Sequence, residues 1–267
     1  MSRSLPMSWS RRRLLLRALQ AAGLAALPSS MLAWPRVARA LGDATKLDLV
    51  ELQLGAGCIS RPSAWLRLLY EVEQTTSVVT LARAPSLGPD DPALFDHPLA
   101  VLVGHDALSD LDDLAVAQLG RYLQYGGFLF IDDTSGVEDS AFDSSVRQLC
   151  ARLFPTRPLA PLPSDHSLYR AFFLIQQPVG RLAMMPWLEG IDLGEVTPVI
   201  YCRNDLSGAL ARGADGRNAF PVVPGGELQR REAVKLGINL VLYALTSNYK
   251  HDLTHVRQLV DDGRIEE

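Results

Sequence analysis

An eight-residue stretch, Gly126 to Asp133 (GGFLFIDD), constrains this chain more than any other. Phe128, Leu129, Phe130 and Ile131 form an unbroken apolar run rather than an alternating one, which is the signature of a parallel strand covered on both faces. Gly126 and Gly127 end the preceding helix and turn the chain into that strand. The strand then delivers two carboxylates, Asp132 and Asp133, to one edge of a sheet.

The rest of the chain supplies cover for such a sheet. Leu47 to Leu54 reads as a first strand, Ser63 to Gln74 as a helix with Trp65, Leu66, Leu69 and Val72 on one face, and Ser77 to Ala82 as a second strand. Pro85 to Pro98, with four prolines, reads as loop. Leu99 to Gly104 is another continuous apolar run, and it ends on His105 and Asp106. Ser109 with Asp112 three residues on resembles a capping box, opening a helix that runs to Gly126. Phe142, Val146, Leu149, Cys150 and Leu153 repeat at helical spacing, so Cys150 is expected to fill core. A proline-rich linker, Pro155 to Pro163, leads to Asp165-His166 and the apolar run Phe172 to Ile175. Arg181 to Leu193 gives irregular structure or short edge strands. Pro198 to Cys202 is strand-like and exits at Arg203-Asn204-Asp205-Leu206-Ser207-Gly208. Glu227 to Asn248 is the longest helix, apolar over a broad face and so heavily buried. A short amphipathic tail follows. Strands alternating with helices of ten to fifteen residues predict an α/β domain with a mostly parallel sheet and helices on both faces, spanning residues 41–267.

Charge separates the first forty residues from this domain. They hold seven arginines and no acid, and without them 19 basic residues face 30 acidic ones, a balance of −11. Such a domain repels a nucleic-acid backbone, which argues against DNA or RNA as partner. Ser10-Arg11-Arg12-Arg13-Leu14-Leu15-Leu16-Arg17 resembles a twin-arginine pattern, and the mildly apolar Ala18 to Leu27 follows it. That segment is about half the length a spanning helix needs. Ala38-Arg39-Ala40 offers small residues for a signal peptidase. Residues 1–40 are thus expected to be an export signal, placing the remainder in the periplasm or outside the cell with no membrane span after cleavage. Cys58, Cys150 and Cys202 are scattered, with neither zinc-ligand nor disulfide-framework spacing.

Polar strand exits define the candidate site, because ligands of open parallel sheets bind beyond the carboxyl ends of the strands. The candidates are His105 and Asp106, Asp132 and Asp133, and Asn204 with Asp205 and Ser207, with His166 on a loop expected to fold over the same edge. Five carboxylates between 132 and 143 favour a cation, a hydroxyl-rich ligand or a basic partner loop over a phosphate. A divalent cation on Asp132, Asp133 and Asp205 is chemically sensible. Both neighbouring aspartates reach it only if the strand has ended, since adjacent strand residues point to opposite faces. The same residues also read as structural groups: Asp132 and Asp133 as caps, His166 as a turn histidine, Asn204-Asp205 as turn chemistry. Ser135 and Ser207 lack the nucleophile elbow of a serine hydrolase.

Four ordered blocks, Tyr122 to Asp133, His166 to Leu174, Val199 to Gly208 and Leu236 to Lys250, together resemble the family known as domain of unknown function 4159. The resemblance implies a flavodoxin-like fold of the class I glutamine amidotransferase superfamily, shared with ThuA-type proteins. An active member of that superfamily places a cysteine on the turn after a central strand. Here the turn reads Asp132-Asp133-Thr134-Ser135-Gly136, without a thiol. The expectation is an exported, non-catalytic module that uses an acidic cleft to bind a small polar ligand or an envelope protein. The alternative is a hydrolase acting on carbohydrate or amide, with Asp132 or Asp133 and His166 as acid, base or metal ligand.

Overall fold

A computed structural model describes residues 46–194 and 196–261, with side chains up to residue 247. The segment expected to be the export signal, residues 1–40, lies outside the described residues. The strands are β1 (Val50–Leu52), β2 (Ser86–Leu87), β3 (Leu99–Gly104), β4 (Phe128–Asp133), β5 (Ala160–Pro161), β6 (Glu189–Ile191) and β7 (Val199–Cys202). The helices are α1 (Pro62–Thr75), α2 (Asp113–Gln124), α3 (Ala141–Leu153), α4 (Leu206–Leu210) and α5 (Gly226–Asp261).

They build one seven-stranded sheet in the order β2-β1-β3-β4-β7-β6-β5. The first five are parallel, and β6 and β5 extend the sheet in antiparallel pairing. Counting the parallel strands alone, the order is 2-1-3-4-5, that of flavodoxin-like folds. The protein is therefore an α/β domain with a mostly parallel sheet, and β4 lies at its centre.

The unbroken apolar run of β4 has the cover it demands. Phe128 and Phe130 pack into a cluster with Trp65, Leu68 and Leu69 of α1, Leu206 and Leu210 of α4, and Leu236 and Val241 of α5. Leu129 and Ile131 point the other way, onto Leu119, Tyr122 and Leu123 of α2 and Phe142, Val146 and Leu149 of α3. Trp65 meets the edge of Phe130 with ring centroids 6.3 Å apart, a pairing that adds about 1 kcal/mol beyond the area buried. Cys150 is buried in the second cluster and fills core.

Four local expectations need correction. Ser77 to Ala82 forms a single bridge, Leu47 to Thr80, rather than a strand. The second strand is instead Ser86–Leu87, inside the proline-rich loop, where an edge position tolerates Pro85 beside it. The helix expected from Ser109 begins at Asp113, capped by Asp112, whose Oδ1 accepts the Ala115 N–H at 2.7 Å. Ser109 Oγ accepts the Ala56 N–H at 2.8 Å instead. The separate tail is absorbed, since α5 runs unbroken to Asp261. Among the described residues no helix is long and apolar enough to cross a membrane.

Candidate functional site

Because β4 remains a regular strand to its last residue, Asp132 and Asp133 leave it on opposite faces. Asp132 is fully buried on the α4 side, where Oδ1 accepts the Leu206 N–H at 2.8 Å and Oδ2 the Ser207 N–H at 2.7 Å. Burial pushes its pKa up to about 7, and the neighbouring Asp205 charge adds to that, while the hydrogen bonds from Ser207 and Leu206 offset part of it. Asp133 faces α3. Its Oδ1 accepts the Ser135 N–H at 2.8 Å, and its Oδ2 accepts the hydroxyls of Ser140 at 2.8 Å and Tyr201 at 3.2 Å.

Asp205 caps the short helix α4 from a left-handed backbone conformation (φ 54°), which aspartate tolerates better than most residues. Its Oδ1 takes a guanidinium N–H from Arg61 and the Gly208 N–H at 2.9 Å, and its Oδ2 takes Arg181 Nε. Arg61 also donates to Ser207 Oγ at 3.1 Å and lies over the Phe220 ring, 4.9 Å from its centroid. Asn204 uses its whole amide: Oδ1 accepts from Met184 and Met185, each at 2.8 Å, and Nδ2 donates to the carbonyls of Pro178 and Met185. It thereby pins a strap, residues 178–185, across this end of the sheet.

A second network lies on the α3 side. Arg147 bridges Asp143 Oδ2 at 3.0 Å and both carboxylate oxygens of Glu189. Arg203 Nε stands 3.6 Å from Asp143 Oδ1, beyond hydrogen-bonding distance, and closes the group as an ion pair. Burial and the charges of Asp133 and Asp143 raise the Tyr201 pKa, so its hydroxyl stays protonated and donates.

The crevice at the topological switch point, between the carboxyl ends of β1 and β3, is filled by the chain itself. Connections leave β1 toward α1 and β3 toward α2, on opposite faces. The loop after β1 crosses the gap: Ile59 donates to the Val103 carbonyl, His105 to Gly57 and Ser109 to Ala56. Gly57 (φ 89°) permits this approach, since a Cβ there would stand 2.3 Å from the Ala107 carbonyl oxygen. His105 and Asp106 pair with each other at 3.1 Å and are exposed beside this plug.

The expected site is thus only partly assembled. Asp132, Asn204, Asp205 and Ser207 share one buried cluster at the carboxyl end; Asp133 lies on the other face, and His105 with Asp106 on the β3 loop. The buried aspartates do not form an open acidic cleft, because guanidinium and backbone N–H groups occupy their oxygens. On the loops after β3 and β4 the acids that reach solvent are Asp106, Asp110, Asp112, Glu138 and Asp139. Nor do Asp132, Asp133 and Asp205 converge as cation ligands. Among the described residues no group of three or more His, Cys, Asp or Glu is placed to hold a metal ion.

His166 belongs to the opposite edge. Its Nε2 lies 3.1 Å from Thr197 Oγ1. Thr197 stands two residues before Val199, which pairs with Leu129, so it is level with Gly127. At a rise of about 3.3 Å per residue, that level is about 16 Å from Asp132. Proton transfer between His166 and either aspartate is out of reach, and the hydrolase that joins them loses its geometry. The imidazole instead lines a cavity of 460 Å³ bounded by Pro158, Pro161 and Pro163 of the proline-rich linker, Asp192, Thr197 and Tyr243. Burial holds its pKa below the ordinary 6.5, so it is neutral at pH 7.

Sequence reasoning missed Arg61, Arg181 and Glu51. Glu51 is a buried carboxylate in β1 that accepts from Ser60 Oγ, the Arg61 N–H at 2.6 Å and Trp65 Nε1 at 3.0 Å. An acid at the middle of an otherwise largely apolar strand, eleven residues ahead of the helix-opening Pro62, was the available signal. Nothing local marks Arg61 and Arg181, whose partner lies in another part of the chain.

A flavodoxin-like sheet with its carboxyl-end acids turned inward, and no cysteine on the turn after β4, defines the α/β domain. Residues 48–245 match the family described as Domain of unknown function (DUF4159), and the chain belongs to that family. No curated protein matches it.

Proposed function

We propose that this chain is an exported, non-catalytic binding module on a glutamine-amidotransferase-like frame, engaging a small polar ligand or an envelope protein. One observation carries the reading: the carboxylates at the ends of β4 and β7 are all engaged in holding the fold. Asp132 holds the first turn of α4, Asp133 orders the following loop, and Asp205 ties Arg61 to Arg181. With no thiol on the turn after β4, the edge that would carry chemistry serves as scaffold. The arginine-rich first forty residues, with their small-residue exit at Ala38-Arg39-Ala40, support export.

The test is a turnover assay of the purified chain against amide and glycoside substrates, alongside Asp132→Asn. No turnover is expected from either. Reproducible turnover that Asp132→Asn abolishes would overturn the reading.

A further inference from the structure

The cavity at the amino-terminal edge of the sheet holds a relay of hydrogen bonds whose ends are open. The Leu168 N–H donates to His166 Nδ1 at 3.2 Å, which fixes the tautomer: the ring proton sits on Nε2 and is donated to Thr197 Oγ1 at 3.1 Å. The Thr197 N–H in turn donates to the Tyr243 hydroxyl at 3.0 Å. Each hydroxyl oxygen therefore already accepts, and the geometry leaves each O–H free to donate. Among the described residues neither O–H has an acceptor. Thr197 and Tyr243 are 3% and 6% exposed, and both line the cavity. Buried donors of this kind are costly to leave unused.

The remaining walls select the acceptor. Arg157 stands at the mouth, exposed and without an ion pair among the described residues. Pro158, Pro161 and Pro163 add apolar surface that suits a carbon skeleton. Asp192, whose Oδ1 accepts the Gly194 N–H at 2.7 Å, puts one negative charge in the wall near His166 and disfavours a dianion such as phosphate. The volume of 460 Å³ falls within the range of ordinary small-molecule sites.

We propose that this cavity binds a small organic monocarboxylate, whose oxygens take the hydroxyl protons of Thr197 and Tyr243 while Arg157 supplies the counter-charge and the prolines cover the carbon skeleton. The proposal rests on the reading of the chain as a binding module and supplies the ligand class. His166 is a positioning residue here, since it aims the Thr197 hydroxyl through its own Nε2–H.

Titration of the full chain with 3-phenylpropionate, followed by backbone amide NMR, tests it, with the neutral 3-phenylpropionamide as the second probe. Saturable shifts at Gly190, Asp192 and Thr197 are expected from the acid and not from the amide. Tyr243→Phe and Arg157→Gln should each weaken binding by about fivefold to tenfold. Arg157 is exposed, so its variant folds even if Tyr243→Phe does not. No saturable shift from the acid, equal shifts from the amide, or affinity unchanged in Arg157→Gln overturns the site. None of these outcomes touches the non-catalytic reading, which turnover alone decides.

Discussion

Asp132 shows how one residue can be read correctly in kind and wrongly in use. Its place at the end of a buried strand follows from the run Phe128 to Ile131, and the two-residue period of a strand already separates it from Asp133. Its partners, Leu206 and Ser207, lie 74 and 75 residues further on, where no local pattern points to them. The buried carboxyl has a pH consequence. Its native pKa of about 7 lies above the ordinary 3.8, so between those values the folded chain binds more protons than the unfolded one. Stability is therefore highest where this carboxyl keeps its proton and is lost as pH rises from about 4 to about 7. Urea unfolding across pH 4 to 8 should show that decline in the wild type and a flatter profile in Asp132→Asn. Carboxyl-carbon NMR should find one aspartate titrating near neutrality.

At the scale of elements, the strap over residues 178–185 is the least regular part of this end of the sheet, yet it is firmly tied. Asn204 holds it with four hydrogen bonds, and Gln229 of α5 donates to the Gly180 carbonyl at 2.9 Å. A Cβ on Gly180 would stand 2.2 Å from the Asn204 carbonyl oxygen, so the two backbones are nearly in contact. Asn204→Ala should cost about 2–3 kcal/mol, because it orphans several backbone groups at once. Amide exchange should speed up at Met184 and Met185 while β3 and β4 stay protected. The strap was unreadable from sequence because it has no periodicity; side chains from β7 and α5 hold it, not its own pattern. β3, β4 and α1 were readable for the opposite reason, as continuous apolar runs or a clear helical stripe. β2 failed because two residues beside a proline carry too little signal.

Across the whole molecule, the α/β architecture followed from the alternation of strands and helices, whereas the antiparallel extension through β6 and β5 did not. That extension builds the cavity around His166 and so moved one expected site residue to the other end of the sheet. The charge division between residues 1–40 and the rest belongs at this scale too. In a bacterial host with a twin-arginine translocase, the full chain should fractionate with the periplasm, and replacing Arg11 and Arg12 by lysine should retain it in the cytoplasm. Immunoblotting of the fractions decides this.

The distance along the chain between Asp132 and the groups that hold it also bears on the order of assembly. A nascent polypeptide halted before Val199 has already made the central strand but not the Leu206 and Ser207 amides that hold its acid. Closing the sheet at that stage would bury a carboxyl without its hydrogen-bond partners, which disfavours a closed half-made state. The buried acid thus gains its partners only when the last quarter of the molecule arrives.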